Sequence, residues 1–127
     1  MNTDINEDLL RDVSYLPKNI LTLIDEEFFA VVQLLVGDLV ADILRIQLIN
    51  SARKLLNTTD VFLFFQMGES TETDEIKRRS CFKSRTGQYI VKPGIRIGLF
   101  YLIKLLKLKA KQEQHSTSDG VAESSGE

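Results

Sequence analysis

Apolar residues recur at helical spacing along most of this chain, and that periodicity restricts its fold more than any other feature. After an acidic run at residues 25–27, apolar side chains follow at Phe28, Phe29, Val32, Leu35 and Val36. Similar stripes follow residue 38, residue 51 and Pro93. This spacing is typical of helices that turn one face toward a core. We therefore predict a mainly α fold.

The period changes once, near residues 81–92. Residues 81–84 and 88–91 predict two short strands joined by a turn at Arg85-Thr86-Gly87, where Gly87 supplies a positive φ. Pro93 then opens a last helix that extends to about residue 113, because proline fits the first turn of a helix. The expected architecture is a small helical bundle with one β-hairpin and a long C-terminal helix.

The length of 127 residues fits a single domain with tails. Residues 1–19 are expected to form a polar N-terminal segment, and residues 20–113 the helical domain with its hairpin. Residues 114–127 are almost all Ser, Thr, Gly, Asp, Glu and other polar types, which predicts a disordered acidic tail. His115, the one histidine of the chain, lies in that tail.

Three polar positions are predicted to begin helices, because short oxygen-bearing side chains accept hydrogen bonds from the first free backbone amides. These positions are Asp38, Asn50 or Ser51, and Asp60. Gly37 is expected to end the preceding helix. The helix after Asp60 is expected to carry the apolar run at residues 61–65 into the core.

The stretch ADILRIQLINSARKLLNTTDVF, residues 41–62, resembles the sterile alpha motif and helix-hairpin-helix family of small helical domains. DNA-binding helix-hairpin-helix motifs usually carry a glycine before the turn isoleucine, so that backbone amides can approach a phosphate. Leu48 stands at that position here. The resemblance therefore implies the protein-interaction branch, with Leu48, Ile49 and the 47–53 turn as candidates for self-association.

The charge reverses along the chain, although the formal net charge is only −2. Residues 1–75 hold 14 acidic and 5 basic residues, giving −9. Residues 76–112 hold 11 basic residues and no acidic one, giving +11, and residues 113–127 hold 4 acidic residues and no basic one, giving −4. The basic block of residues 76–112 is expected to lie against negative charge, which comes either from acidic residues of the same chain or from a binding partner.

Three interpretations of the basic block remain open. The block packs on the acidic N-terminal half, or it binds nucleic acid, or it meets an acidic protein or an anionic membrane surface. A protein partner or self-association is our first choice for a function and nucleic acid the alternative, whereas we do not expect a peripheral membrane contact. The candidate binding residues are Arg78, Arg79, Lys83, Arg85, Lys92 and Lys104.

Catalytic chemistry is not indicated. One cysteine and one histidine cannot form a zinc quartet, and Gly94 and Gly98 lie in no phosphate-binding pattern. Asp38 and Asp42 are spaced to share the solvated face of one helix. We therefore predict a non-enzymatic interaction module without metal or cofactor.

The lone Cys81 and the acidic start of the chain, which lacks the features of a secretory signal, predict an intracellular protein of the cytoplasm or nucleus. Cys81 is expected to be a structural residue at the start of a strand. The alternative is a reactive thiol whose pKa is lowered by nearby Lys77, Arg78, Arg79 and Lys83. No apolar stretch approaches the about 20 residues of a membrane span.

Overall fold

The computed structural model describes the backbone of residues 2–66 and 71–125 and the side chains of residues 8–66 and 71–113. Helical segments dominate, as the sequence predicts, and one antiparallel hairpin precedes a long last helix. In chain order the elements are α1 (Asn2–Ser14), α2 (Asp25–Val36), α3 (Asp38–Ile46), α4 (Ala52–Leu56), a 3₁₀ turn (Leu63–Gln66), α5 (Thr71–Ser80), β1 (Cys81–Lys83), β2 (Tyr89–Val91) and α6 (Pro93–Ser125).

Helix α6 forms the centre of the bundle. Helices α1, α2, α3 and α4 all pack against it. Its residues Leu99, Leu102, Leu105 and Leu106 are each at most 1% exposed. These positions follow the 3.6-residue period, so one face of α6 is fully removed from water, which supplies the main stabilisation of the bundle.

The N-terminal segment, although polar in composition, is part of the same core. Val13 and Leu16 are 2% and 6% exposed. The phenol of Tyr101 on α6 donates a hydrogen bond to the carboxylate of Asp12 on α1. Residues 8–19 therefore contact the helical domain through two core side chains and one partly buried hydrogen bond to α6.

Gly37 joins α2 to α3, and its φ of +102° is a conformation that L-residues rarely adopt. Its N–H donates to the Gln33 carbonyl at 3.0 Å, which ends α2 as predicted, and its carbonyl accepts from Ala41 N–H at 3.3 Å. Gly37 is thus the N-cap of α3. The expectation that Asp38 caps this helix is wrong: Asp38 is its first residue and makes no capping bond.

The turn between α3 and α4 is held by the entry to α2. An isolated antiparallel bridge pairs Ile24 with Ser51, and the Asn50 side chain donates to Asp25 Oδ1 at 2.6 Å. Ser51 Oγ accepts from Lys54 N–H at 3.2 Å, which confirms the predicted cap of α4. Leu48, at the tip, has a φ of +59°.

The apolar run after Asp60 does not form the expected α-helix. Asp60 Oδ1 accepts from Phe62 N–H at 3.0 Å, so its carboxylate closes a tight local turn instead of capping a helix. A single 3₁₀ turn follows. Val61, Phe62 and Phe65 are buried, whereas Leu63 is 51% exposed.

The hairpin pairs Cys81 with Val91, Phe82 with Ile90 and Lys83 with Tyr89. Gly87 has the predicted positive φ, +89°, and its N–H donates to the Ser84 carbonyl at 3.0 Å. Side chains alternate between the two faces of a strand. Cys81 and Val91 accordingly face the core, and Phe82 and Ile90 face solvent.

Helix α6 begins at Pro93, as predicted, and its backbone extends to Ser125. Its bounds therefore reach into residues 114–127, whose side chains lie outside the described part of the chain. Disorder of this acidic segment, and the solvated position of His115, stay predictions. Across residues 2–66 and 71–125, no helix combines the length and the apolarity that crossing a membrane requires.

Candidate functional site

The structure divides the six predicted binding residues among three places. On α5, Arg78 contacts both carboxylate oxygens of Glu75, at 2.6 and 2.7 Å. The hydrogen bond and the charge of Arg78 lower the pKa of the Glu75 carboxyl. Arg79 lies 3.6 Å from Asp42 of α3. These two arginines are thus partly neutralised by the acidic half of the chain, as the internal interpretation predicts.

On the hairpin, the three basic residues do not share one face. The ammonium of Lys83 lies 5.7 Å from the centre of the Tyr89 ring, and that of Lys92 lies 5.3 Å from the Phe82 ring. Because Tyr89 and Phe82 point to opposite faces of the hairpin, the two lysines do as well. Arg85 is exposed in the turn.

Lys104 lies apart from the other five, in a groove between α1 and α6. We call this surface the α1/α6 groove. Two connected depressions of ≈ 400 and ≈ 480 Å³ make it up, and Leu9 and Lys104 line both. The α1 side is formed by Asp8, Leu9, Leu10 and Asp12. The α6 side is formed by Ile97, Phe100, Tyr101, Lys104, Lys107, Leu108 and Lys111.

The α6 wall of the groove is a single helical stripe. Positions 97, 100, 104, 107 and 111 are separated by three or four residues, so they stand on one face. The stripe changes from apolar to basic along its length, and it extends about 21 Å at 1.5 Å per residue. Ile97, Phe100 and Leu10 are 66%, 48% and 49% exposed. An apolar area of this kind, bordered by charge, is typical of an interaction site.

The charges around the α1/α6 groove are unbalanced. On the α1 side, Asp8 is paired with Arg11 at 2.6 Å, and Asp12 accepts the hydrogen bond of Tyr101. On the α6 side, no ion pair within 4 Å joins any of the three lysines to a residue with a described side chain. The groove is therefore positive at the end that Lys107 and Lys111 line, whereas Asp8 and Asp12 line the end with Ile97 and Phe100.

Tyr101 sits at the floor of the groove. Burial, its hydrogen bond to Asp12 and the negative charges of Asp12 and Asp8 raise the pKa of Tyr101 to about 12. The phenol therefore stays protonated, and able to donate to Asp12, up to a higher pH than an ordinary tyrosine, and its bond joins α1 to α6.

The two residues predicted to take part in self-association at the 47–53 turn differ in their exposure to solvent. Leu48 is 73% exposed, but Ile49 is 7% exposed and belongs to the core. Ile49 is therefore unable to contact a partner, and its assignment to a binding surface is wrong. Of the two candidates, only Leu48 presents its side chain to solvent.

Cys81 is a core residue, 6% exposed. Burial raises the pKa of its thiol, and the positive charges of Lys77 and Lys92 offset only part of that effect. The alternative of a reactive, low-pKa thiol is thus wrong. Among the side chains that the structure describes, no group of three His, Cys, Asp or Glu is placed to hold a metal ion.

Comparison with known proteins identifies no relative: no family model matches the chain, and no match was found among curated proteins or solved structures. The resemblance of residues 41–62 to sterile alpha and helix-hairpin-helix domains therefore stays a prediction. Function has to be argued from the residues of this chain.

Sequence reasoning missed most of the α1/α6 groove. It selected Lys104 for its charge but assigned Ile97, Phe100 and Leu10 to no surface. The signal was present, since Ile97 and Phe100 continue the spacing of the three lysines along one helical face. What the sequence did not show is that α1 would pack beside that face and supply the second wall.

Proposed function

We propose that this protein is a non-catalytic interaction module that binds an acidic amphipathic helix of a protein partner in the α1/α6 groove. The observation that carries the proposal is the stripe on α6, where exposed Ile97 and Phe100 continue into Lys104, Lys107 and Lys111. Helices that dock in grooves use apolar anchors on one face, and flanking charges set their specificity.

The length of the stripe fits a helix as the occupant. About 21 Å corresponds to roughly four helical turns. A partner helix of that length would place apolar side chains over Ile97, Phe100 and Leu10 and acidic side chains beside the three lysines. Asp8 is paired with Arg11, whereas Asp12 accepts only the hydrogen bond of the neutral Tyr101 phenol. The acidic side chains of the partner are therefore expected at the lysine end of the groove, away from Asp12.

A titration with a designed probe tests this proposal. The probe is a fluorescein-labelled helical peptide of about four turns, with leucines on one face and glutamates along its border. We expect saturable binding, seen as increased fluorescence anisotropy, that weakens with added salt because charge attracts the peptide. A peptide of the same leucine pattern with lysines in place of the glutamates should not bind.

Two triple variants with the same change in net charge provide the matched control. The groove variant carries Lys104→Glu, Lys107→Glu and Lys111→Glu, and the hairpin variant carries Lys83→Glu, Arg85→Glu and Lys92→Glu. We expect the groove variant to bind the acidic peptide at least about tenfold more weakly, a change of about 1.4 kcal/mol. The hairpin variant should retain most of the affinity.

Equal losses in the two triple variants would show attraction to total charge only and would exclude the groove. A Phe100→Ser variant adds the apolar part of the test, because Phe100 is half exposed and its loss should spare the fold. Unchanged binding by Phe100→Ser would contradict the docking of apolar anchors.

Nucleic-acid binding by residues 76–112 has less support. Lys83 and Lys92 lie on opposite faces of the hairpin, and Arg78 and Arg79 contact acidic residues. A phosphate backbone is best followed by cations on one surface. Salt-sensitive binding of labelled single- or double-stranded DNA or RNA, lost in the hairpin variant and kept in the groove variant, would favour this alternative over the protein partner.

A further inference from the structure

Within residues 2–66 and 71–125, no strand pairs with the outer edge of β2. In an antiparallel pair, residues alternate between pairs that exchange backbone hydrogen bonds and pairs that do not. Ser84 N–H donates to the Gln88 carbonyl at 2.7 Å, and Lys92 N–H donates to the Ser80 carbonyl at 2.8 Å. These two bonds fix the alternation, so that Phe82 and Ile90 between them form a hydrogen-bonded pair.

The same alternation directs the backbone groups of Tyr89 and Val91 away from β1. Neither residue takes part in a turn, loop or cap bond among the described residues. A groove of ≈ 320 Å³ borders the strand: residues 88–91 form one wall, and Asp60, Phe62, Gln66 and Arg96 stand on the other. The strand therefore borders an open space.

We propose that this edge binds an extended segment of a protein partner as a third strand, with an apolar residue beside Ile90 and an acidic residue beside Lys92. This inference is independent of the α1/α6 groove. Strand addition uses the free backbone groups for affinity and alternate side chains for specificity.

Side chains on the outward face set the chemistry of the added strand. Phe82 and Ile90 are directly paired, and they are 58% and 54% exposed. A third strand would place one of its side chains next to Ile90, which extends an apolar row across the hairpin. Lys92 lies on the same face, above the Phe82 ring, and no acidic residue occurs in the segment 76–112 to neutralise it.

A symmetrical probe makes the test independent of strand direction. The probe is acetyl-Glu-Thr-Val-Thr-Glu-amide, which places valine beside Ile90 and glutamate beside Lys92 whether it lies parallel or antiparallel. The measurement is the position and the hydrogen-exchange rate of each backbone amide signal in nuclear magnetic resonance spectra. The control peptide has lysines in place of the glutamates.

Without peptide, we expect the amides of Tyr89 and Val91 to exchange faster than those of Phe82 and Ile90. Added probe should shift the Tyr89 and Val91 signals and slow their exchange, and the lysine peptide should not. The variant Ile90→Asp, a change on the exposed face, should keep the hairpin and lose the response.

Four results would overturn the proposal. In the first, the amides of Tyr89 and Val91 are already as protected as those of Phe82 and Ile90 in the free monomer. In the second, millimolar probe causes no shift, and in the third, the response persists in Ile90→Asp. The fourth is a dimer, seen by sedimentation, whose formation protects the amides of Tyr89 and Val91, since the occupant would then be a second copy of the chain.

Discussion

The phenol of Tyr101 on α6 donates its hydrogen bond to the carboxylate of Asp12 on α1, at the floor of the α1/α6 groove. The pair joins the first helix of the chain to the last one. It is also the described polar contact that most directly sets the distance between the two walls of the groove.

The hydrogen bond between Tyr101 and Asp12 predicts that Tyr101 loses its proton at a higher pH than an ordinary tyrosine. The pKa of Tyr101 is raised to about 12 from its usual value near 10. A raised pKa means that the folded state favours the protonated phenol, so its stabilising effect is complete below about pH 10 and is lost as the pH rises through about 12. In Tyr101→Phe, the late component of the tyrosinate absorbance should disappear.

Tyr15→Phe is the matched control for that titration, because Tyr15 is 76% exposed and only its backbone N–H, not its phenol, bonds to Asp12, at the main-chain carbonyl. It should remove one tyrosine from the total amplitude and leave the late component in place. Persistence of the late component in Tyr101→Phe would show that the bond to Asp12 is not formed in solution.

Replacement of Leu48 by glycine is expected to stabilise the protein. Its φ of +59° is a left-handed conformation, which costs an L-residue roughly 1–2 kcal/mol and glycine almost nothing. Part of that gain is offset by the greater freedom of glycine in the unfolded chain. We expect Leu48→Gly to raise the free energy of unfolding in urea by about 0.5–1 kcal/mol.

Leu34→Gly is the counterpart of Leu48→Gly. Leu34 is 86% exposed but lies within α2, where glycine costs about 1 kcal/mol. The two leucine-to-glycine changes should therefore have opposite signs. A loss of stability in both would mean that residue 48 is not in the left-handed conformation.

Substitution by alanine is expected to have opposite effects on stability at Gly98 and at Gly37. At Gly98, within α6, an added Cβ would lie 3.6 Å from the Val36 Cβ, which is ordinary contact, so Gly98→Ala should stabilise by about 0.5–1 kcal/mol. At Gly37 there is room, but the φ of +102° is unfavourable for alanine.

Gly37→Ala should accordingly destabilise by about 1–2 kcal/mol, through backbone strain at the joint between α2 and α3. Thermal unfolding followed by circular dichroism compares both alanine variants with the parent protein. A destabilised Gly98→Ala would indicate that α6 and α2 pack more closely than described.

Cys81 is expected to be unreactive in the folded protein. Its thiol is buried and its pKa is raised, so the thiolate that reacts with a disulfide reagent is scarce and inaccessible. Labelling with dithiobisnitrobenzoate should be slow in buffer and fast in denaturant. Rapid labelling of the folded protein at neutral pH would contradict the core position of Cys81.

The elements that the sequence predicted well are those that local rules decide. Pro93 begins α6, Ser51 caps α4 and Gly87 takes a positive φ in the hairpin turn, and each depends on residues close in sequence. The apolar stripe of α6 likewise identified the helix that forms the centre of the bundle.

The predictions that failed depended on contacts between residues distant in sequence, or on which of two adjacent residues caps a helix. Asp38 was predicted to begin α3, whereas Gly37, expected only to end α2, is also the N-cap of α3. Ile49 looked like a surface residue by analogy, but its side chain joins the core. The α1/α6 groove was not visible because neither wall is complete without the other.

The central position of α6 has a consequence for biosynthesis. Helices α1 to α4 precede α6 in the chain, yet the surface on which they all pack is supplied by α6. A chain that ends before Leu99 would keep the contact between α2 and α3 but would expose the apolar side chains that α1 to α4 bury against α6. Synthesis of α6 is therefore expected to be the step that completes the core.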